Sequence, residues 1–106
     1  AMQYGYNCDL AVMFPMDDRD GRYLLTVNHE YTTEPMMFPD YDPENPTEEQ
    51  VKIGWAGHGH TILEVSKSKD SGELKREFGP LNRRITAETP IRISGPAAGH
   101  AFFRLL

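Results

Sequence analysis

Cysteine is almost absent from this sequence, and the scarcity limits the chemistry available to the chain. Cys8 is the single cysteine among 106 residues, so an internal disulfide is excluded and the redox compartment stays open. Apolar runs are also short. No stretch approaches the roughly 20 apolar residues that a membrane span needs, and the N-terminus lacks the charged-then-apolar pattern of a signal peptide. Neither a membrane span nor a signal peptide is expected in this sequence.

Positively charged residues are also few in this sequence. The 11 Lys and Arg residues are outnumbered by 16 Asp and Glu, which gives a formal net charge of -5. Because the basic residues are dispersed, no basic stripe is available to a nucleic-acid backbone, and we discount that class of function. The length is suited to one small domain with one core, so residues 1–106 are expected to form a single domain. Ala1, which precedes Met2, is expected to be a residue left by expression.

The apolar pattern predicts a mainly β fold built from hairpins, with at most one short helix. Five segments carry strand signals: residues 10–14, 22–27, 60–66, 73–78 and 91–94. The first two flank "MDDRDG", a turn cluster that Gly21 closes, and the next two flank "KSKDSG". Two β-hairpins are therefore predicted, together with one possible further strand near the C-terminal end.

The middle of the chain is interrupted by proline. Four prolines punctuate this stretch: Pro35, Pro39, Pro43 and Pro46. Because proline lacks the backbone N–H and fixes φ, an irregular connection is predicted, and long connections of this kind often carry function. Thr47 and Gln50 have the spacing of a capping box, which predicts a helix over 48–55 before Gly57 and Gly59 end it.

The end of the second predicted strand, "VNHEYT", carries side chains that can bind metal. Side chains alternate faces along a strand, so Asn28 and Glu30 share one face while His29 lies with the apolar residues. An amide oxygen beside a carboxylate suits a hard cation such as calcium. The alternative is that Glu30 is a solvated residue and Asn28 a turn former. His29 is predicted to be a core histidine.

Other candidates for metal binding lie elsewhere. In "YNCD", Cys8 and Asp9 could hold iron or zinc, which sulfur favours over calcium, or Cys8 could be a small buried apolar group. In "GHGH", His58 and His60 are a possible ligand pair, with close backbone approach at the glycines as the alternative. "DDRDG" resembles a calcium loop only superficially, because Val27 occupies the position that needs a bidentate Glu.

One candidate site for an anion precedes the C-terminal segment. "NRR" places Arg83 beside Arg84, and two guanidinium groups can fork onto the oxygens of a phosphate. Salt bridges at the surface are the equally weighted alternative. The sequence alone leaves both uses of these arginines open.

The order of several motifs resembles that of the PhoX-type alkaline phosphatases. The resemblance runs in register from about Tyr4 to His100 and includes "YGYNCDLAVMFP", "LLTVNHEYTTEPMMFP", "EEQVKIGWAGHGHTILEV" and "LNRRITAETPIRISGPAAGH". It implies a β-propeller that is periplasmic or secreted and that hydrolyses phosphomonoesters with iron and calcium at its centre. It also implies that Cys8 matches an iron-ligating cysteine and that Glu30 belongs to the metal-binding set. Asn28 and Asp9 are additional metal candidates.

The chain departs from the family in length. Family members are several times longer, and the tryptophan- and glutamate-bearing segment that follows "SGPAAGH" in them is missing, as are the later blades. The resemblance therefore implies one to two blades of a propeller, an incomplete metal site, and a fragment that is inactive in isolation. Its expected partners are further copies of itself or the remainder of a propeller. A non-catalytic β-rich assembly or binding domain is the alternative function.

Overall fold

The computed structural model describes residues 4–104, and its main feature is a five-stranded antiparallel sheet. The strands are β1 (Ala11–Pro15), β2 (Arg22–His29), β3 (Gly59–Lys67), β4 (Leu74–Glu77) and β5 (Arg83–Ile85). Strands β1 to β4 lie side by side in chain order, and β5 also pairs with β3. The predicted mainly β fold class is confirmed, with a sheet that remains open in the described residues. Ala1 lies outside them.

The first hairpin forms as predicted. Strand β1 begins at Ala11, one residue later than expected, and pairs with Val27 of β2. The turn is fastened by the amide of Arg22, which donates to the carbonyl of Arg19 at 3.0 Å. Gly21 has a φ of 71°, a left-handed conformation that glycine adopts without steric cost. The "DDRDG" segment is therefore a hairpin turn.

Strand β3 is paired along both edges. It runs antiparallel to β2 on one side, while β4 and β5 occupy different ends of its other side. Strand β4 is shorter than the predicted 73–78, and β5 was not predicted. Between these two short strands the chain loops past Glu64, whose carboxylate accepts a hydrogen bond from the amide of Leu81 at 2.9 Å. Glu64 therefore holds this loop against β3.

The helix of the middle segment is α2 (Glu48–Gly57). The predicted capping box is present: the Gln50 amide donates to Thr47 Oγ1 at 3.2 Å, and the Thr47 amide donates to Gln50 Oε1 at 2.8 Å. The helix continues two residues beyond the predicted end and includes Gly57, where a side chain would collide with Thr32. The absence of a side chain there lets α2 pack closely on the chain that leaves β2.

Two segments differ from their predictions. The proline-rich connection contains a single helical turn, α1 (Glu34–Met37), whose second residue is Pro35, a position that tolerates proline because its N–H would be unpaired in any case. The strand expected at 91–94 is absent from the described structure. A strand needs a neighbour for its ladder, and this stretch pairs with none of residues 4–104. Two 3₁₀ turns follow, Gly95–Ala97 and Ala101–Arg104.

The sheet encloses little apolar volume. Val65 is the one buried large apolar side chain among the described residues, at 4% exposure. Several large apolar side chains remain exposed, namely Leu10, Phe14, Trp55, Phe78, Ile91 and Phe102. Four polar residues are buried beside this small core: His29, Thr61, Glu64 and Thr86. Each buried polar side chain must find hydrogen-bond partners, and those partners position the site.

Candidate functional site

A short arch of chain next to the end of β2 carries the metal candidates. The amide of Tyr6 donates to the carbonyl of Tyr31 at 2.8 Å, and the amide of Asn28 donates to the carbonyl of Leu10 at 3.2 Å. Residues 7–9 lie between these two attachment points and leave the ladder. Asn7 adopts a φ of 53°, a left-handed conformation that asparagine tolerates better than most residues. The arch presents three consecutive polar side chains beside the strand end.

Cys8 lies on this arch against a histidine. Its Sγ is 3.4 Å from Nδ1 of His29 and 3.6 Å from the carbonyl oxygen of Gly5, to which the thiol donates. Cys8 itself is exposed. The interpretation as a small buried apolar group is therefore wrong for this structure, because the arch raises the thiol to the surface. An exposed thiol beside an imidazole remains available as a ligand.

His29 is buried at 2% exposure, as predicted for a core histidine. Its Nε2 lies 2.7 Å from Oγ1 of Thr61 on the adjacent strand, and its ring meets that of Tyr4 edge to face, with centroids 4.2 Å apart. Burial, followed by the charges of Arg84 and His60, lowers the pKa of the imidazole. Because a lowered pKa favours the neutral ring, His29 is an uncharged support for Cys8.

The oxygen ligands proposed from sequence are brought to the same strand end but are engaged with their neighbours. Asn28 Nδ2 donates to Asp9 Oδ1 at 2.9 Å, and Asn28 Oδ1 accepts from the Leu10 amide at 2.9 Å. Glu30 accepts a hydrogen bond from Asn7 Nδ2. The Asn28 amide therefore fixes the base of the arch, and the exposed Glu30 carboxylate is oriented by Asn7, a contact that spacing did not predict.

The thiol of Cys8 and the carboxylate of Glu30 are groups that bind metal ions, but few such groups lie close together. A thiolate suits iron, and carboxylates suit calcium, and Cys8 and Glu30 are both exposed. Within residues 4–104, however, no group of three or more His, Cys, Asp or Glu side chains is arranged to hold a metal ion. The described part of the chain thus offers individual candidate ligands rather than a group of three.

The two histidines of "GHGH" serve different contacts. Nδ1 of His58 donates to the carbonyl of Gly54 at 2.7 Å, at the end of α2, whereas His60 lies in β3 opposite Ile85. Gly59 has a φ of 121°, and a side chain there would collide with the carbonyl of Ile85. The close backbone approach considered for these glycines is therefore present.

The neighbouring arginines have separate environments. Arg84 directs its guanidinium at backbone carbonyls, which include those of Ala56, Gly57, His58, His60 and Ile85 at 2.6 to 3.4 Å. The group therefore fastens the C-terminal end of α2, where cations are favoured by the helix dipole, to β3 and β5. Arg83 is exposed, so its guanidinium can reach a ligand.

A cleft of about 350 Å³ opens on the sheet beside these arginines. Its lining includes Tyr4 and Thr61, the two residues that contact His29. Three arginines also line it: Arg76, Arg83 and Arg84. Sequence reasoning missed Arg76. Its signal lies in strand register: Arg76 is opposite Val65 and Arg84 is opposite Thr61, which places both on one face of β3. The cleft is therefore positively charged and lies close to His29, the residue that contacts Cys8.

Comparisons with known proteins identify the family to which the chain is similar. The family model described as alkaline phosphatase PhoX matches residues 1–106. A solved structure, "Pseudomonas fluorescens PhoX in complex with vanadate, a transition state analogue", matches with a TM-score of 0.75 and 33% identity. The match covers 92% of this chain and 17% of that one, so the chain spans less than a fifth of the solved protein's length. No curated protein matches the chain.

The open antiparallel sheet and the 33% identity make the chain phosphatase-like in both fold and sequence. The chain belongs to the PhoX family of alkaline phosphatases. The match to a portion of a PhoX structure agrees with the partial propeller that the motifs implied. In the described residues, no helix is long and apolar enough to cross a membrane.

Proposed function

We propose that this chain forms one part of the active centre of a metal-dependent phosphomonoester hydrolase and is inactive in isolation. The observation that carries the proposal is the PhoX family match over the whole sequence, combined with coverage of 17% of the solved PhoX chain. Multi-metal phosphoryl transfer needs several ligands that hold cations in a fixed geometry. The described residues lack a group of three such ligands, so the isolated chain should not turn over substrate.

Cys8 and Glu30 are the residues we assign to metal, with iron at the thiol and calcium at the carboxylate. Bound cations would neutralise charge on the phosphoryl oxygens and activate an oxygen nucleophile. The chain's own contribution is to hold the donors. His29 supports the Cys8 thiol from a buried position, and Asn28 and Asp9 fix the arch from which Cys8 projects.

The arginine-lined cleft is the part of the chain that we assign to phosphate. Arg83 is exposed and Arg76 lies on the same cleft, so both can donate to the oxygens of a phosphomonoester. Arg84 completes the positive charge of the cleft while its nitrogens donate to backbone carbonyls. Because its Nη1 and Nη2 already donate to carbonyls, we assign Arg84 an electrostatic contribution to phosphate binding. Without bound metal, the chain's net charge of -5 opposes the approach of a dianion.

The remaining ligands would come from the rest of a propeller or from further copies of this chain. Exposed apolar side chains such as Phe14 and Phe78 support association, and we expect a mass above the 12.1 kDa monomer in light scattering after size exclusion. A monomer across a wide concentration range would contradict this. A periplasmic or secreted location follows from the family and is proposed on that basis alone.

Two measurements test the assignment. After reconstitution with iron and calcium, elemental analysis should find iron in the wild-type chain and less in Cys8→Ala. Glu73→Gln, a change at an exposed residue between β3 and β4, should leave metal content unaltered. Hydrolysis of p-nitrophenyl phosphate at alkaline pH should be undetectable. Absence of metal from the wild-type chain would refute the ligand assignment. Turnover that both Cys8→Ala and Glu30→Gln abolish would refute inactivity in isolation.

A second function is favoured by the same exposed surface. Large apolar side chains that no described residue covers suit a non-catalytic domain whose role is assembly or binding. This alternative predicts self-association that is unaffected by Cys8→Ala, Glu30→Gln and metal removal. The phosphatase assignment instead predicts that metal content depends on both residues.

A further inference from the structure

The proline-rich connection and α2 enclose a cavity that the phosphatase assignment does not use. Its volume is about 200 Å³. The side chains that line it include one carboxylate, two aromatic rings, an amide and an imidazole, from Glu34, Tyr41, Trp55, Gln50 and His58. A pocket of this size admits a small molecule or one side chain, and the chemistry of its walls decides which class fits.

Aromatic rings form two of the walls. Trp55 lines the cavity and is still 50% exposed, so its ring can be reached from solvent. Tyr41 packs beside Phe38, and their ring centroids lie 6.3 Å apart. The faces of such rings carry partial negative charge and attract cations, and tryptophan does so most strongly.

A carboxylate supplies formal charge next to these rings. Glu34 is partly buried and accepts a hydrogen bond from the hydroxyl of Thr32. This hydrogen bond lowers the pKa of the carboxyl group, so Glu34 is ionised at neutral pH. A Cβ at Gly54 would lie 3.3 Å from Glu34 Oε1, and the glycine thus provides the space in which the carboxylate sits against α2.

The surrounding segment reinforces the negative charge. Residues 31–51 contain no Lys or Arg and six acidic residues: Glu34, Asp40, Asp42, Glu44, Glu48 and Glu49. The nearest basic residue in sequence, Lys52, is paired with Glu48 at 2.5 Å, and no Lys or Arg is among the described residues that line the cavity. A surface with this excess of acidic residues concentrates cations and repels phosphate and other anions.

We propose that this cavity binds a small alkylammonium ion, with the cationic head between Trp55 and Tyr41 and its charge balanced by Glu34. Aromatic faces beside a carboxylate are the combination that recognises ammonium groups. The described lining offers too few carboxylate, thiol and imidazole groups for a metal ion. The proposal does not rest on the phosphatase assignment, since the cavity is formed by the connection and α2 without Cys8 or Glu30.

The test uses Trp55 as its reporter, since it is the chain's one tryptophan. The complete chain is titrated with choline chloride at constant ionic strength while Trp55 fluorescence is recorded. A parallel titration uses 3,3-dimethylbutan-1-ol, which has the same shape as choline without its charge. We expect a saturable response to choline in the millimolar range, on the order of a weak cation–π site, and no saturable response to the neutral alcohol.

Variants test whether choline binding depends on the charge of Glu34 and on the ring of Tyr41 in a protein that remains folded. Glu34→Gln should weaken choline binding about tenfold, the effect of losing roughly 1.4 kcal/mol, and Tyr41→Leu should also weaken it. Glu49→Gln removes the same charge from α2 outside the lining and should leave affinity within about twofold. Circular dichroism checks folding, and Tyr41→Leu provides the test if Glu34→Gln does not fold. Equal responses to choline and the alcohol, or affinity unchanged in folded Glu34→Gln or Tyr41→Leu, would overturn the proposal.

Discussion

Arg84 provides the sharpest test of how this sheet and its helix are held together. At least five backbone carbonyls accept hydrogen bonds from its guanidinium, and three of these belong to residues 56–58 at the C-terminal end of α2. The Arg84→Met substitution keeps much of the side chain's length and removes every one of these donors. The carbonyls would then lose their charged partner in a part of the protein where water has limited access.

The expected loss in the free energy of unfolding follows from the charged character of these hydrogen bonds. Hydrogen bonds that involve a charged group contribute about 1.5–3 kcal/mol each, and bonds that share one group are not additive. We therefore expect Arg84→Met to lower the free energy of unfolding by about 3 kcal/mol, a large part of the roughly 5–15 kcal/mol typical of a domain. For a chain of this size, that corresponds to a fall in Tm of about 12–20 °C.

The matched control is the adjacent residue. Arg83→Met makes the same chemical change at an exposed position of the same strand, and surface substitutions usually alter stability by less than about 0.5 kcal/mol. Urea denaturation followed by Trp55 fluorescence and circular dichroism measures both variants. If Arg84→Met and Arg83→Met were equally stable, the Arg84 guanidinium would not be what fastens the end of α2 to the sheet.

Three further predictions concern local structure. Gly59→Ala should destabilise the protein more than Gly99→Ala, because both glycines have positive φ but only Gly59 has a backbone carbonyl where the new methyl group would lie; thermal unfolding compares the two. Thr47→Ala should cost about 1 kcal/mol in urea denaturation, since it removes the helix cap. Thr32→Val should raise the pKa of Glu34 toward its ordinary value, which an NMR titration measures directly.

The pH dependence of the last variant has a definite sign. A carboxyl group whose pKa is lower in the folded state stabilises the protein above its unfolded pKa, and that stability is lost as pH falls through the folded value. Stability should therefore decline below about pH 4.5 in the wild-type protein and decline less in Thr32→Val. An equal decline would contradict the Thr32 contact.

Thr33→Ala, which removes no side-chain cap from α1, is the control for Thr47→Ala.

Local signals in the sequence predicted those parts of the fold that depend on local interactions. The capping box of Thr47 and Gln50 is formed by residues three positions apart, and the left-handed Gly21 is required by a turn that its neighbours define. Alternation along β2 likewise assigned His29 to the buried face. Each of these predictions needed only the chemistry of a short stretch of chain.

The structural features that the sequence did not predict depend on interactions between segments that are distant in the chain. Strand β5 is three residues long and begins with two arginines, so it acquires strand structure only through pairing with β3. The alternating residues 91–94 show the converse, because a good pattern forms no strand without a partner among the described residues. The role of Arg76 in the cleft depends on register across β3 and β4. The Asn7 contact with Glu30 joins positions 23 residues apart.

The central position of β3 also has a consequence for the order of folding. Each hairpin, β1–β2 and β3–β4, joins neighbours in the chain, whereas β2 and β3 are separated by the 29 residues between His29 and Gly59. Pairing across such a separation loses chain entropy before any contact compensates it, and topologies rich in distant contacts fold slowly. The two hairpins should therefore form first and independently, and the docking of β2 on β3 should set the folding rate.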